Sequence, residues 1–140
     1  MTGSGARGHA AGDPPLVAIV DDDESVRKST CRLIRSFGYR AEAFGSGTEF
    51  LSSPSARQAA CLVLDVRMPG MDGLEVQRLV NEAALDIPIV FISGRASDDE
   101  ERRARAAGAV DFLRKPLAAA TFREVLQKAF SRGAHHEDDA

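Results

Sequence analysis

Five short apolar runs, each followed by a stretch with helical signals, constrain this chain more than any other feature. The runs fall at 16–20 (LVAIV), 40–44 (RAEAF), 61–64 (CLVL), 89–92 (IVFI) and 110–113 (VDFL). They are strand-length and partly β-branched or aromatic. After the first run, Val26, Thr30, Leu33, Ile34 and Phe37 share one helical face, and Gly38 can stop that helix. Ser46 with Glu49 and Ser97 with Glu100 match the capping box that opens a helix. Residues 74–83 and 122–130 supply the remaining two helices, the last with Phe122, Val125, Leu126 and Ala129 on one side. Near-continuous apolar strands alternating with helices predict an α/β domain: a parallel five-stranded sheet with right-handed crossovers and helices on both faces.

The ends of the chain have a different composition. Residues 1–15 are rich in Gly, Ala and Pro and 132–140 are polar, so both read as disordered tails around one domain at 16–131. A length of 140 residues fits that single core. Residues 16–131 carry 16 basic and 17 acidic side chains, and this near-neutral balance lacks the basic footprint of a nucleic-acid binder. Cys31 and Cys61 form neither a disulfide framework nor a CxxC pair and read as small buried hydrophobes. With no apolar leader and no run near the roughly 18 apolar residues of a membrane span, the default location is cytoplasmic.

In an open parallel sheet, ligands bind beyond the carboxyl ends of the strands. There the sequence places Asp21, Asp22 and Asp23 after the first run, Asp65 after the third, Ser93 after the fourth, and Lys115 with Pro116 after the fifth. A like-charge pair about 4 Å apart costs on the order of 4 kcal/mol at an effective dielectric of 20, so clustered carboxylates need a cation. Lys115 and a divalent metal are the candidates, and an all-oxygen set of two or three carboxylates suits Mg²⁺. Asp65 would then be a nucleophile that takes a phosphoryl group, with Lys115 neutralising the transferring oxygens and Ser93 donating a hydrogen bond to one of them. Asp23 and Glu24 read as structural, at a helix start where acids suit the dipole.

The stretches VAIVDDDESVRKS, LVLDVRMPGMDGLE, IPIVFISG and AGAVDFLRKP resemble the receiver domain of bacterial two-component response regulators, closest to FixJ-like receivers. The resemblance implies a flavodoxin-like (βα)5 doubly wound fold with strand order 2-1-3-4-5. It implies phosphorylation of Asp65 by a sensor histidine kinase or a histidine phosphotransfer protein. Asp21 and Asp22 would form the acidic pair, with Asp22, Asp65 and the backbone carbonyl of Arg67 as direct Mg²⁺ ligands. Ser93 takes the Ser/Thr role, Lys115 the lysine role, Phe112 the aromatic switch position, and Pro116 follows a cis bond. Phosphorylation would draw Ser93 inward, let Phe112 turn in, and change the surface of the fourth helix, fifth strand and fifth helix for an unknown downstream protein. The domain would be a signalling module that catalyses only its own phosphorylation and slow dephosphorylation, not an enzyme acting on other substrates. No direct contact with nucleic acid or membrane is expected.

The segment SDDEERRARAAG has no large apolar residue between Ala96 and Val110 and predicts a loosely held helix that buries only alanines. The literal GxGxxG at residues 3–8 follows no strand, and His135 and His136 sit in a polar tail, so neither reads as a site. Chain length favours a stand-alone receiver. The alternatives are the receiver of a longer FixJ-like transcription regulator and a haloacid-dehalogenase-type phosphatase, whose DxD pattern is missing because Val66 and Arg67 follow Asp65.

Overall fold

A computed structural model describes residues 12–139, with side chains described through 132. Five parallel strands form one sheet: β1 (Leu16–Val20), β2 (Arg40–Phe44), β3 (Cys61–Leu64), β4 (Ile89–Ser93) and β5 (Asp111–Arg114). Their order is β2-β1-β3-β4-β5. The helices are α1 (Glu24–Ser36), α2 (Gly47–Leu51), α3 (Gly73–Glu82), α4 (Asp98–Ala106) and α5 (Ala119–Asp139), with a 3₁₀ turn at Pro54–Arg57 that the sequence pattern did not mark.

Alternate strand residues feed two cores, as the pleat requires. Ala18, Val20, Leu62, Leu64, Phe91 and Phe112 face one side, together with Phe50, Val76, Val80 and Ala104 from the helices there. Val17, Ile19, Val63, Val90 and Ile92 face the other, against Ile34 of α1 and Phe122, Leu126 and Ala129 of α5. The sheet separates the two cores, so β1, β3 and β4 are buried throughout, whereas the edge strand β2 alternates exposed Arg40 and Glu42 with less exposed Ala41 and Ala43.

The expected helix signals are present as atoms. Asp23 caps α1 by accepting from the Ser25 and Val26 amides, and Gly38 follows the helix at φ +96°. At α4 the Ser97 hydroxyl accepts from Glu100 N–H while the Glu100 carboxylate accepts from Ser97 N–H. At α2 the Glu49 carboxylate instead takes the Gly45 N–H at 3.1 Å, one residue before the cap. β4 includes Ser93, and β5 begins one residue later than the apolar run suggests, because Val110 pairs only through its amide to the Ile89 carbonyl.

The helix α5 runs to Asp139, past the 122–130 span of the sequence pattern and into the stretch from 132 expected as a disordered tail. No proline stops it, and a single glycine such as Gly133 costs a helix only about 1 kcal/mol. The GxGxxG stretch at 3–8 and the side chains of His135 and His136 lie outside the described residues.

Candidate functional site

The loops after β1, β3, β4 and β5 meet at one cleft of about 200 Å³, lined by Asp21, Asp22, Asp65, Arg67, Ser93 and Lys115 among others. Every polar residue expected at a strand end therefore reaches the same place. Asp21, Asp22 and Asp65 can each bring a carboxylate oxygen within 4.8 Å of the others. Asp21 is 5 % exposed and Ser93 fully buried, whereas Asp22 is open to solvent and Asp65 half-buried.

Backbone and side-chain bonds fix this geometry. Asp21 Oδ1 accepts the Asp23 N–H at 2.9 Å, and Lys115 Nζ lies 3.7 Å from Asp21 Oδ2. The Arg67 N–H donates weakly to Asp65 Oδ1 at 3.4 Å. Arg27 Nη1 donates to the Asp21 carbonyl at 2.8 Å and clamps the acidic loop; no local motif marks this contact, because its acceptor is a backbone carbonyl. The Ser93 hydroxyl accepts from the Arg95 amide at 3.3 Å.

Gly73, at the start of α3, packs where a Cβ would come within 2.2 Å of the Asp65 carbonyl oxygen. Its amide donates to the Val66 carbonyl at 2.9 Å. Only a glycine lets α3 approach so closely behind Asp65, and sequence reasoning passed over it because glycine in a turn is ordinary.

Electrostatics distinguish the cleft from the surface. Burial pushes the Asp21 carboxyl above its ordinary value of 3.8, and the Asp23 N–H and the Lys115 ammonium only partly offset this. Asp65 is also raised, first by burial and then by the charge of Asp21. More negative charge is gathered here than the protein itself neutralises. The donor set is entirely oxygen, so a hard divalent cation such as Mg²⁺ fits these residues.

Pro116 follows a cis peptide bond from Lys115, as expected. Phe112 is 4 % exposed and stacks on Phe91 with ring centroids 5.6 Å apart. Its ring is covered by the Arg114 guanidinium, 5.5 Å from the centroid. The ring is thus already turned inward, not waiting outside. Cys31 and Cys61 are free and buried, and burial pushes the Cys61 thiol up to about 12, so it is an inert core residue.

A family model described as response regulator receiver domain matches residues 17–127. The chain belongs to this family. Among the receiver's curated relatives, the response regulator protein TmoT of Ectopseudomonas mendocina is 37 % identical over 96 % of this chain, which spans 61 % of that protein. Nodulation protein W of Bradyrhizobium diazoefficiens is 44 % identical over 81 % of the chain, which spans 50 % of that protein. The receiver thus matches a little over half the length of these regulators. Among solved structures, StyR superposes with a TM-score of 0.82 at 37 % identity, covering 90 % of this chain and 64 % of that one. FixJ-N superposes with a TM-score of 0.78 at 34 % identity, covering 85 % and 95 %. The receiver match favours two-component signalling over the phosphatase alternative. Among the described residues, no helix is long and apolar enough to cross a membrane.

Proposed function

We propose that Asp65 accepts a phosphoryl group from a phosphohistidine of a sensor histidine kinase or a histidine phosphotransfer protein, and that the change is read on the surface of α4, β5 and α5 by a downstream protein. The observation that carries this is the single cleft in which Asp65 meets Asp21, Asp22, Ser93 and Lys115. An Asp65 oxygen forms the O–P bond as the donor's N–P bond breaks. The electron pair of that bond stays on the imidazole nitrogen.

Lys115 neutralises charge on the phosphoryl oxygens, and the Ser93 hydroxyl donates to one of them. Asp22, Asp65 and the Arg67 carbonyl would hold Mg²⁺, with Asp21 beside them. When bound, the ion supplies Lewis-acid stabilisation of the phosphoryl oxygens. Ser93 ends β4, buried at the cleft, and Phe112 of the neighbouring strand β5 lies inward against Phe91. In this reading the inward ring is the arrangement that the phosphorylated form keeps. The domain acts as a cytoplasmic switch, with output through protein contacts and none through nucleic acid or membrane.

The test is incubation with Mg²⁺ and acetyl phosphate, followed by intact mass. One acid-stable, alkali-labile phosphoryl group is expected, and it disappears in Asp65→Asn. Catalytic turnover of phosphate esters without a stable adduct would overturn this reading in favour of a phosphatase.

A further inference from the structure

Arg67 stands between the cleft and the start of α4. It lines the cleft two residues after Asp65, and its guanidinium Nη2 lies 2.9 Å from Glu100 Oε1, across 33 positions of sequence. The same Glu100 oxygen accepts the Ser97 N–H at 2.9 Å and so closes the N-terminal cap of α4. One carboxylate oxygen therefore serves two donors, one from the helix cap and one from the rim of the cleft. The Arg67 side chain is 48 % exposed and that of Glu100 16 %.

The geometry points to Arg67 as a phosphoryl-binding residue that acts as a latch: it rests on Glu100 and transfers to the phosphoryl group on Asp65, loosening the α4 cap as it leaves. This inference rests on Asp65 being the phosphoacceptor. Its physical basis is competition for one guanidinium. The Arg67 side of the pair is half open to water, and an ion pair so screened contributes little. Phosphorylation replaces the single charge of the carboxylate with about two and brings three acceptor oxygens, whose spacing suits the two-pronged donor of arginine better than a single carboxylate oxygen does. The Arg67 amide lies 3.4 Å from Asp65 Oδ1, so the residue that carries the guanidinium already stands beside the acceptor. Arg95 and Lys115 also line the cleft and share the new charge, but no bond of either to the α4 cap is among those described. The latch carries the signal to α4 by charge, alongside any movement of Ser93.

The experiment measures adduct formation and cap exchange separately. Intact mass after acetyl phosphate and Mg²⁺ reports whether Asp65 is phosphorylated. Amide hydrogen exchange at Ser97 and Glu100, with Mg²⁺ and beryllium trifluoride as a stable phosphoryl mimic, reports the cap. In the wild type the mimic is expected to speed exchange at these amides roughly two- to fivefold, the span that release of an exposed ion pair allows. In Arg67→Ala, read at mimic concentrations that saturate Asp65, the faster exchange should be present without the mimic and should not change further with it. Glu100→Gln keeps an oxygen for the Ser97 N–H but removes the charge that holds Arg67, so it should bind the mimic roughly two- to fivefold more tightly. An adduct with unchanged exchange in the wild type, or the same mimic-dependent change in Arg67→Ala, overturns the latch and leaves Asp65 as acceptor. Absence of both adduct and mimic binding overturns both.

Discussion

The helices α5 and α4 lie on opposite faces of the same sheet and are held by different forces. Phe122, Leu126 and Ala129 of α5 are fully buried among Val17, Ile19, Val63 and Ile92. Burial of each large side chain contributes on the order of 1.5–3 kcal/mol. The helix α4 buries one residue of its own, Ala104. What ties it down is polar. Gln77, itself 2 % exposed, donates to the Ala104 carbonyl at 2.9 Å. Arg114 of β5 donates to the Ala96 carbonyl at 2.6 Å and meets Glu101 at 2.9 Å, while Arg105 bridges Glu101 and Asp111. A helix fastened by apolar area ignores the charge at the cleft. One fastened by charge can respond to it, and α4 follows directly from β4, which ends at Ser93 of the cleft.

The contrast can be broken most severely on the apolar side. Phe122→Ala should lower stability by about 3–5 kcal/mol in urea unfolding, with little dependence on salt. A loss below 1 kcal/mol would mean that α5 is not held by its core face. On the other face, Gln77→Ala should cost about 1–3 kcal/mol, since it removes a buried hydrogen bond, and amide exchange should rise in α4 before it rises in α5. Next in size, Arg114→Ala should cost about 1 kcal/mol at low ionic strength, and the cost should shrink in concentrated salt because the pairs it removes are exposed. An effect that ignores salt would assign Arg114 to packing over Phe112 instead.

The smallest effect distinguishes the regions by pH, because their carboxylates shift in opposite directions. The hydrogen bond from Arg114 holds Glu101 below its ordinary 4.5, so its contribution is present above that value and is lost as pH falls through the lower folded value. Asp21 is raised by burial, so its ionisation opposes folding once pH climbs above the ordinary 3.8 and through the raised folded value. Without Mg²⁺, Asp21→Asn should therefore raise the unfolding midpoint slightly at neutral pH, and the gain should vanish by about pH 3. Glu101→Gln should do the reverse, with a small loss at neutral pH that vanishes in acid. Matching signs for the two variants would show that the regions do not differ electrostatically.

The expectation of a loosely held α4 was half right, and the missing half is instructive. SDDEERRARAAG lacks apolar anchors, and within it the structure buries Ala104 alone. The anchors are partners from elsewhere: Gln77 lies 27 positions before its acceptor and Arg114 lies 13 after Glu101. No local pattern announces such pairs, since an arginine at a strand end reads as solvated until the neighbouring helix is placed. Arg27 escaped notice for the same reason, its acceptor being a backbone carbonyl that every residue has.

Local pattern along the chain specified the five strand–helix repeats, the two-sided burial of β1, β3 and β4, and the residues that meet at the cleft. Runs such as CLVL and IVFI leave a strand no solvent face, and side chains at the carboxyl ends of parallel strands must share one edge. How those residues are held comes from packing across the fold: Asp21 against Lys115, Asp65 with Gly73 packed behind it, and Arg67 turned to Glu100. Periodicity follows from chain geometry and is written locally. Distances between charges depend on the packing of elements far apart in the chain, and those distances set which groups pair and which shift.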